Sequence, residues 1–491
     1  MDFIIYKCLK PSTEVYAKLK IDLCEDQEVY YGANYIAAWR PSTIRSINEN
    51  SAFFISGRVQ YKTENHYYSS EVLIEHLKNN NWPLSEDFTG FFSGVLFSDN
   101  SFRIFNDPIG LFHLYYCITD KYVIVATNLN AIHSITGSAI NKSALVLEMT
   151  KPEFSQYGRS TVLENVYSLM PGELLIFKDG KTKRLYDNTI KTDDKPGSKS
   201  LANELVDLIN AEFKNFYQEH DSLMVSMSGG IDSRVNLACL LANGKKPLLT
   251  NFGRPEYIDS KIPRKIAEDI GLKIDIIDPV SYQFPPKPII DRIVKETDAL
   301  YINQWLAIFD HYKERQQAYP FFLLGDMCDI LRAKGISSLK TRSFRRKHYV
   351  TKFFTGKQLS LVPLCEKEKR QFFIRKRDSI LSQINESAKN YLNINNPELI
   401  GEAEADLEEL FTHLDRYNPL YVESYEELFG IFTHGRKSMG KQLNILKVAF
   451  TPEIPILNLR IIRHVLNYSP LARYGDELTN CMFKHHAWKK L

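Results

Sequence analysis

Along the first 190 residues, apolar positions fall in short runs of aromatic and branched side chains, broken by polar turns. Residues 51–56, 94–97, 102–105, 114–117, 122–126 and 173–177 each read as a strand. Turns are predicted at Asp99-Asn100, Asp107-Pro108 and Asp179-Gly180, and one helix over 70–79. Short strands at near-even spacing predict packed antiparallel sheets. The pattern lapses at 191–200, which is polar, carries Pro and Gly and reads as a linker. From Leu201 the period becomes helical, with Leu201, Leu205, Leu208 and Ile209 on one face of a helix reaching Tyr217. Strand and helix patterns then alternate: strands at 223–227, 247–252, 273–278 and 321–324, helices from Val235, over 260–270, 289–296 and 302–316. That alternation predicts a parallel sheet whose ligands lie beyond the carboxyl ends of its strands. The remainder reads as helical to Leu491, so the chain divides into 1–190, a linker at 191–200, and 201–491.

Composition narrows the class. At 491 residues, 44% hydrophobic and 25% charged, the chain is an ordinary globular protein of two or more domains. A net charge of +3 points to neither a nucleic-acid nor a membrane partner. Seven cysteines, odd in number and without a Cys-x-x-Cys pair, read as reduced thiols. The start, Met1-Asp2-Phe3-Ile4-Ile5-Tyr6, lacks the form of a signal peptide, and no run approaches a membrane span; the expected location is cytoplasmic.

The stretch richest in chemistry is Ser226-Met227-Ser228-Gly229-Gly230-Ile231-Asp232-Ser233, where an apolar strand breaks into glycines and a helix opens at once. Gly229 and Gly230 permit close approach of a ligand and conformations that other residues resist. The helix start offers unpaired N–H groups and the positive end of its dipole, and Ser228 and Ser233 add hydroxyls, which together suit phosphate. Asp232 would repel phosphate unless it holds a magnesium ion, which commonly binds one or two carboxylates plus phosphate oxygens. A Walker-type loop is excluded, because no Gly-Lys-Ser/Thr follows the glycines. The block resembles the pyrophosphate loop of the ATP pyrophosphatase superfamily.

A second turn, Gly325-Asp326-Met327-Cys328-Asp329, ends the strand at 321–324. Its two carboxylates can reach a ligand at the same sheet edge, or they can cap the next helix. The basic stretch 332–357 (Lys334, Lys340, Arg342, Arg345, Arg346, Lys347, His348, Lys352) reads as a solvated loop or as a flap touching phosphates or an acidic substrate. Five carboxylates within 402–409 read as a water-facing helix side.

The whole arrangement resembles asparagine synthetases and their relatives, the β-lactam synthetases and lasso-peptide cyclases. The resemblance is carried by Phe88-Thr89-Gly90-Phe91-Phe92-Ser93-Gly94-Val95-Leu96, by Asp107-Pro108-Ile109-Gly110 through Leu114-Tyr115-Tyr116, by 126–132, and by Leu169-Met170-Pro171-Gly172. It implies a glutaminase-like (Ntn-type) β-sandwich joined to an adenine-nucleotide α-hydrolase-like parallel-sheet synthetase domain. In such a domain ATP adenylates a carboxylate and an amine displaces AMP. It also implies ATP and pyrophosphate contacts at Ser226, Ser228, Gly229, Gly230, Asp232, Ser233 and Gly325. Magnesium would be held by Asp232 and Asp329, and Asp326 would help deprotonate the amine. Departures are informative. Asp2 stands where the family's glutaminase needs a cysteine, which argues against glutamine hydrolysis. Met327 and Ile330 replace the second glycine and last glutamate of the family's Gly-Glu-Gly-x-Asp-Glu, and Thr451 and Glu453 replace an expected Glu and Arg. The family's late lysine has no clear counterpart, Lys437, Lys441 and Lys484 being weak substitutes.

The expected function is an ATP- and magnesium-dependent amide-forming ligase that works without glutamine, closing a ring in a lasso peptide or β-lactam. Its partners would be a small-molecule or peptide carboxylate and a precursor-peptide protease. The rivals are amidation of a sugar acid or aspartate by ammonia, and a non-catalytic nucleotide-binding relative.

Overall fold

A computed structural model describes residues 2–9, 27–32, 35–40, 43–63, 66–68, 70–79, 81–83, 87–98, 101–150, 157–192, 195, 200–218, 220–282, 286–298, 304–327, 329–333, 336, 339, 341–355, 359–387, 397–475 and 477–488. Thirteen strands build the amino-terminal part. They are β1 (Phe3–Cys8), β2 (Glu28–Tyr31), β3 (Tyr35–Trp39), β4 (Ile44–Asn48), β5 (Ser51–Thr63), β6 (His66–Tyr68) and β7 (Phe88–Ser98). Then come β8 (Ser101–Asn106), β9 (Tyr115–Ile118), β10 (Tyr122–Ala126), β11 (Tyr167–Ser168), β12 (Glu173–Lys178) and β13 (Lys181–Tyr186).

These strands form two antiparallel sheets, ordered β11-β9-β10-β1-β3-β2 and β13-β12-β8-β7-β5-β4, with β6 on β5. Phe3, Ile5, Ala37 and Val125 of the first sheet pack against Phe54, Val95, Phe97, Ile104 and Leu175 of the second. The outer faces are covered too. Ile4, Tyr6, Ile124 and Ala126 meet Leu129, Ile132 and Ala144 of two helices, while Phe53, Leu96 and Phe105 meet Leu73 and Leu77 of the helix Ser70–Lys78. The result is a helix–sheet–sheet–helix stack. Both faces of β1 and β7 are buried along nearly their whole length, Lys7, Thr89 and Ser93 included, so the alternation of a half-exposed strand is absent.

The second part is a five-stranded parallel sheet: β14 (Leu223–Ser226), β15 (Leu248–Phe252), β16 (Ile274–Ile277), β17 (Phe321–Leu323) and β18 (Thr451–Glu453), in the order β16-β15-β14-β17-β18. Both the antiparallel and the parallel sheets expected from the apolar pattern are present. β18 lies in the region expected to be wholly helical. Its Thr451-Pro452-Glu453 has no strand signature and is ordered by pairing along β17. The helix expected over 302–316 is Gln304–Tyr312 followed by a tight turn Lys313–Arg315, with 302–303 outside the described residues. The Asp99-Asn100 turn and most of the 191–200 linker also lie outside them; Lys195 bridges to Tyr468.

One apolar cluster runs through both parts, joining Phe91, Leu111, Phe112 and Met170 to Leu205, Met224, Leu323 and Leu443. Polar contacts reinforce it. Lys441 pairs with Glu148, and Arg436 donates to the Leu169 carbonyl. The acidic helix Pro397–Leu414 does not simply face water, as expected. Its Asp406 is buried and accepts from the amides of Gly158 at 2.6 Å and Ser160 at 3.0 Å, while Glu409 pairs with Arg159.

Candidate nucleotide site at the edge of the parallel sheet

β14 has β15 on one side and β17 on the other, so the sheet order reverses at β14. In an open parallel sheet the crevice beyond the strand ends at such a reversal receives the ligand. The loop after β14 and the loop after β17 both open there, and the residues between them show how tightly they meet. A Cβ on Gly325 would lie 2.4 Å from the Ser233 Cα and 2.6 Å from its nitrogen, so only glycine fits. Asn236 Nδ2 donates to the Leu324 carbonyl at 2.9 Å, tying the helix Ile231–Ala242 to the second loop.

The first loop is closed by its own serines. Ser233 Oγ accepts from the Ser228 amide at 3.1 Å and donates back to the Ser228 carbonyl at 3.2 Å, while Ser228 Oγ accepts from the Gly230 amide at 3.1 Å. Gly230 begins the helix without a side-chain cap hydrogen bond. Gly229 and Gly230 do not take the left-handed conformations that the sequence suggested; Gly230 has φ −72°. Their role is space: a Cβ on Gly229 would lie 2.8 Å from Asp259 Oδ1. Ser226 ends β14 in register with Thr250.

Behind the loop stand two residues that sequence reasoning missed. Buried Asn251 donates to the Met227 carbonyl at 2.7 Å and the Asp259 carbonyl at 2.9 Å, and it accepts from Ser260 Oγ at 2.7 Å. Their signal was faint: polar residues at the end of an apolar strand and the start of the next helix.

The two aspartates expected to hold a cation come together. One nitrogen, Arg332 Nη2, lies 2.7 Å from Asp232 Oδ1 and 2.8 Å from Asp329 Oδ1. Asp329 opens the one-turn helix Asp329–Arg332, which also carries the arginine. Sequence reasoning did not find Arg332, because nothing local says that its side chain turns back across the gap. Hard oxygen donors from two loops thus converge on one cationic atom. Among the described residues no cluster of three or more His, Cys, Asp or Glu accompanies them. A cation held here would draw its remaining ligands from phosphate and water, which is the habit of magnesium. The donor set fits.

Asp326 is half-buried and makes no hydrogen bond or ion pair among the described residues; desolvation pushes its carboxyl up to about 6. Met327 has φ +68°, the conformation glycine adopts freely, so this loop keeps a glycine-like bend with a methionine in it. Its methyl lies 3.0 Å from where a Cβ on Gly435 would be, within the wide-turn helical segment Ile431–Met439. The three candidate lysines differ in setting. Lys437 is buried two residues on, held far below the ordinary lysine range by desolvation and by Arg436; Lys441 is committed to Glu148; Lys484 is exposed. The basic stretch contains a helix, Arg342–Thr355, where a solvated loop or flap was expected. It rests on Tyr474 through Phe344 and His348 and exposes Tyr349, Phe353 and Phe354; Lys334, Lys340 and 356–358 fall outside the described residues.

Asp2, the residue that argues against glutamine hydrolysis, is enclosed by an ion pair and a hydrogen bond. Asp2 Oδ2 lies 2.5 Å from Lys447 Nζ and also accepts from Ser56 Oγ. Burial acts to raise this carboxyl, and Lys447 with Arg40 more than reverses it, holding it well below the usual range.

No family model and no curated protein matches the chain. Among solved structures, glutamine phosphoribosylpyrophosphate amidotransferase from B. subtilis, complexed with ADP and GMP, is similar at 12% identity. It covers 59% of this chain and 70% of that chain with a TM-score of 0.22. The allosteric regulatory enzyme of purine biosynthesis is similar at 13% identity over 70% of this chain and 72% of that chain, TM-score 0.19. Superposition this loose transfers no chemistry from either protein, and the site is read from this chain's own residues. No helix among the described residues is long and apolar enough to cross a membrane.

Proposed function

We propose that this chain is an ATP- and magnesium-dependent ligase that adenylates a carboxylate and joins it to an amine without hydrolysing glutamine. The favoured outcome is ring closure within one substrate, a lasso peptide or a β-lactam. The observation that carries the reading is the meeting of Asp232 and Asp329, from loops on two different strands, at a single cationic nitrogen. The triphosphate would lie on the uncapped start of the helix Ile231–Ala242, its β- and γ-phosphates among Ser228, Gly229, Gly230 and Ser233, with Gly325 beside the α-phosphate. Bound to Asp232 and Asp329, magnesium would offset charge gathering on the departing pyrophosphate.

A carboxylate oxygen of the substrate attacks the α-phosphorus, and the bond to the β-phosphate breaks. The amine then attacks the acyl carbon, AMP leaves, and Asp326 accepts the amine proton. A carboxyl raised to about 6 is ionised at neutral pH yet basic enough for that transfer. The ion pair of Asp2 with Lys447 supports independence from glutamine, because this position holds a carboxylate already committed to a lysine and not a thiol. A second reading, nucleotide binding without turnover, is favoured by one feature: Arg332 already neutralises both aspartates. The deciding assay is pyrophosphate release across a panel of carboxylates. Release that needs a particular carboxylate, and is abolished in Asp232→Ala and Asp329→Ala, supports the ligase. Nucleotide binding with no release over the whole panel selects the second reading.

A further inference from the structure

Arg332 is mounted so that its backbone is fixed while its side chain spans the gap between two loops. The carbonyl of Ile330, in the same turn, accepts from Arg473 Nη1. Arg473 is itself held by a buried two-bond pair to Glu427 at 2.9 and 2.7 Å, and the Arg332 carbonyl accepts from the Gly475 amide at 3.1 Å. From that mount one nitrogen joins Asp329, three residues back, to Asp232, a hundred residues away. The arginine side chain is 11% exposed, whereas the carboxylates it joins are 24% and 49% exposed. The guanidinium is therefore less exposed than either carboxylate it joins. Two carboxylates brought this close repel unless a positive charge lies between them. A guanidinium satisfies that need, and it binds phosphate oxygens equally well.

We propose that Arg332 is the resting occupant of the cation position between Asp232 and Asp329, and that a divalent cation arriving with the nucleotide displaces it onto the phosphates. This rests on the nucleotide-site reading above and adds a residue and an order of events to it. The two aspartates are kept paired and correctly placed while the site is empty of ligand. A bare metal ion is a poor competitor, because it must expel a tethered guanidinium. With nucleotide present, the expelled guanidinium gains phosphate as a new partner, so metal and nucleotide favour each other's binding. Arg332 then also provides positive charge near the phosphates.

The test is metal binding by the full chain without nucleotide, using Mn2+ as the probe and its paramagnetic signal as the readout. Arg332→Met is expected to bind Mn2+ at least about tenfold more tightly than the parent chain. That gain should vanish when Asp329→Asn is added. The same Arg332→Met chain should bind ATP in the absence of metal about tenfold more weakly. Opposite shifts for the two ligands are not the signature of a merely structural defect. Should Arg332→Met fail to fold, Arg332→Gln serves, since it too removes the charge. Equal Mn2+ affinity with and without Arg332, no binding to either, or a gain that survives Asp329→Asn overturns the proposal. Failure of the underlying reading looks different: Mn2+ and ATP together would bind the parent chain and Asp232→Asn equally well, with Arg332 untouched in both.

Discussion

Two carboxylate–cation clusters dominate the molecule, and they are built to opposite ends. At the amino-terminal cluster Asp2, Ser56 and Lys447 close on each other, with the aspartate and lysine 17% and 13% exposed; the lysine comes from the other sheet domain. Its ammonium also lies 4.3 Å from the Phe112 ring centroid, which seals it further. At the parallel-sheet cluster the Asp232 and Asp329 side chains are 24% and 49% exposed while Arg332 is 11% exposed, and Gly229 and Gly325 let the loops bearing them approach their neighbours closely. The first cluster ties the amino-terminal sheets to the segment that leads into β18. The second holds its charges in balance while leaving them accessible. A charge pair alone does not mark a site; exposure and the room around it do.

The largest effect expected from breaking this contrast is on rate. Asp326→Asn should leave pyrophosphate release intact and slow amide formation by roughly a hundred- to ten-thousandfold. In the parent chain the amide-forming step should fall as pH drops through about 6, because the protonated carboxyl no longer accepts the amine proton. An unchanged rate, or the same pH profile in the variant, removes Asp326 from that role. Next comes stability at the sealed cluster. Lys447→Met strands Asp2 in a buried setting and should cost about 3 kcal/mol in chemical denaturation, since an unpaired buried charge is expensive. That stabilisation is present above the normal carboxylate range and fades as acid protonates Asp2, because the folded state holds this carboxyl low.

Gly325→Ala drives a methyl into the backbone of Ser233 and should cost about 1–3 kcal/mol while loosening the nucleotide loop. A variant with parental stability and nucleotide affinity would show that the two loops are not locked there. The smallest stability effect belongs to Arg332→Met. Its carboxylate partners are partly solvated, so the loss should stay near or below about 1 kcal/mol, well under that of Lys447→Met. Equal losses at the two clusters would erase the distinction between them.

Much of this was legible in the chain itself. The change from apolar runs to helical period at Leu201 announced two kinds of sheet, and strand–Ser-Gly-Gly–helix announced the turn that carries the site. The pairing of Asp232 with Asp329 was also readable, because both follow apolar strands and such strand ends share an edge in a parallel sheet. What escaped depends on contacts distant in sequence. β18 has a proline and two polar residues and becomes a strand only because β17 is beside it. Asp406 looked like part of a wet face and is buried by two amides from the other domain. Arg332 sat within a stretch whose excess of positive charge invited an electrostatic explanation, while one of its two partners is a hundred residues upstream. Of the two properties expected of Gly229 and Gly230, close packing is seen at Gly229, and neither residue takes a left-handed conformation.

The most direct test of the central claim, that the loops after β14 and β17 form one nucleotide site around two aspartates, is calorimetric titration of MgATP. The titration would use the parent chain, Asp232→Asn, Asp329→Asn and Asp2→Asn. MgATP should bind the parent chain and Asp2→Asn alike, and each of the other two variants should weaken it by at least about tenfold. Parental affinity in either Asp232→Asn or Asp329→Asn, or weakening confined to Asp2→Asn, would contradict it.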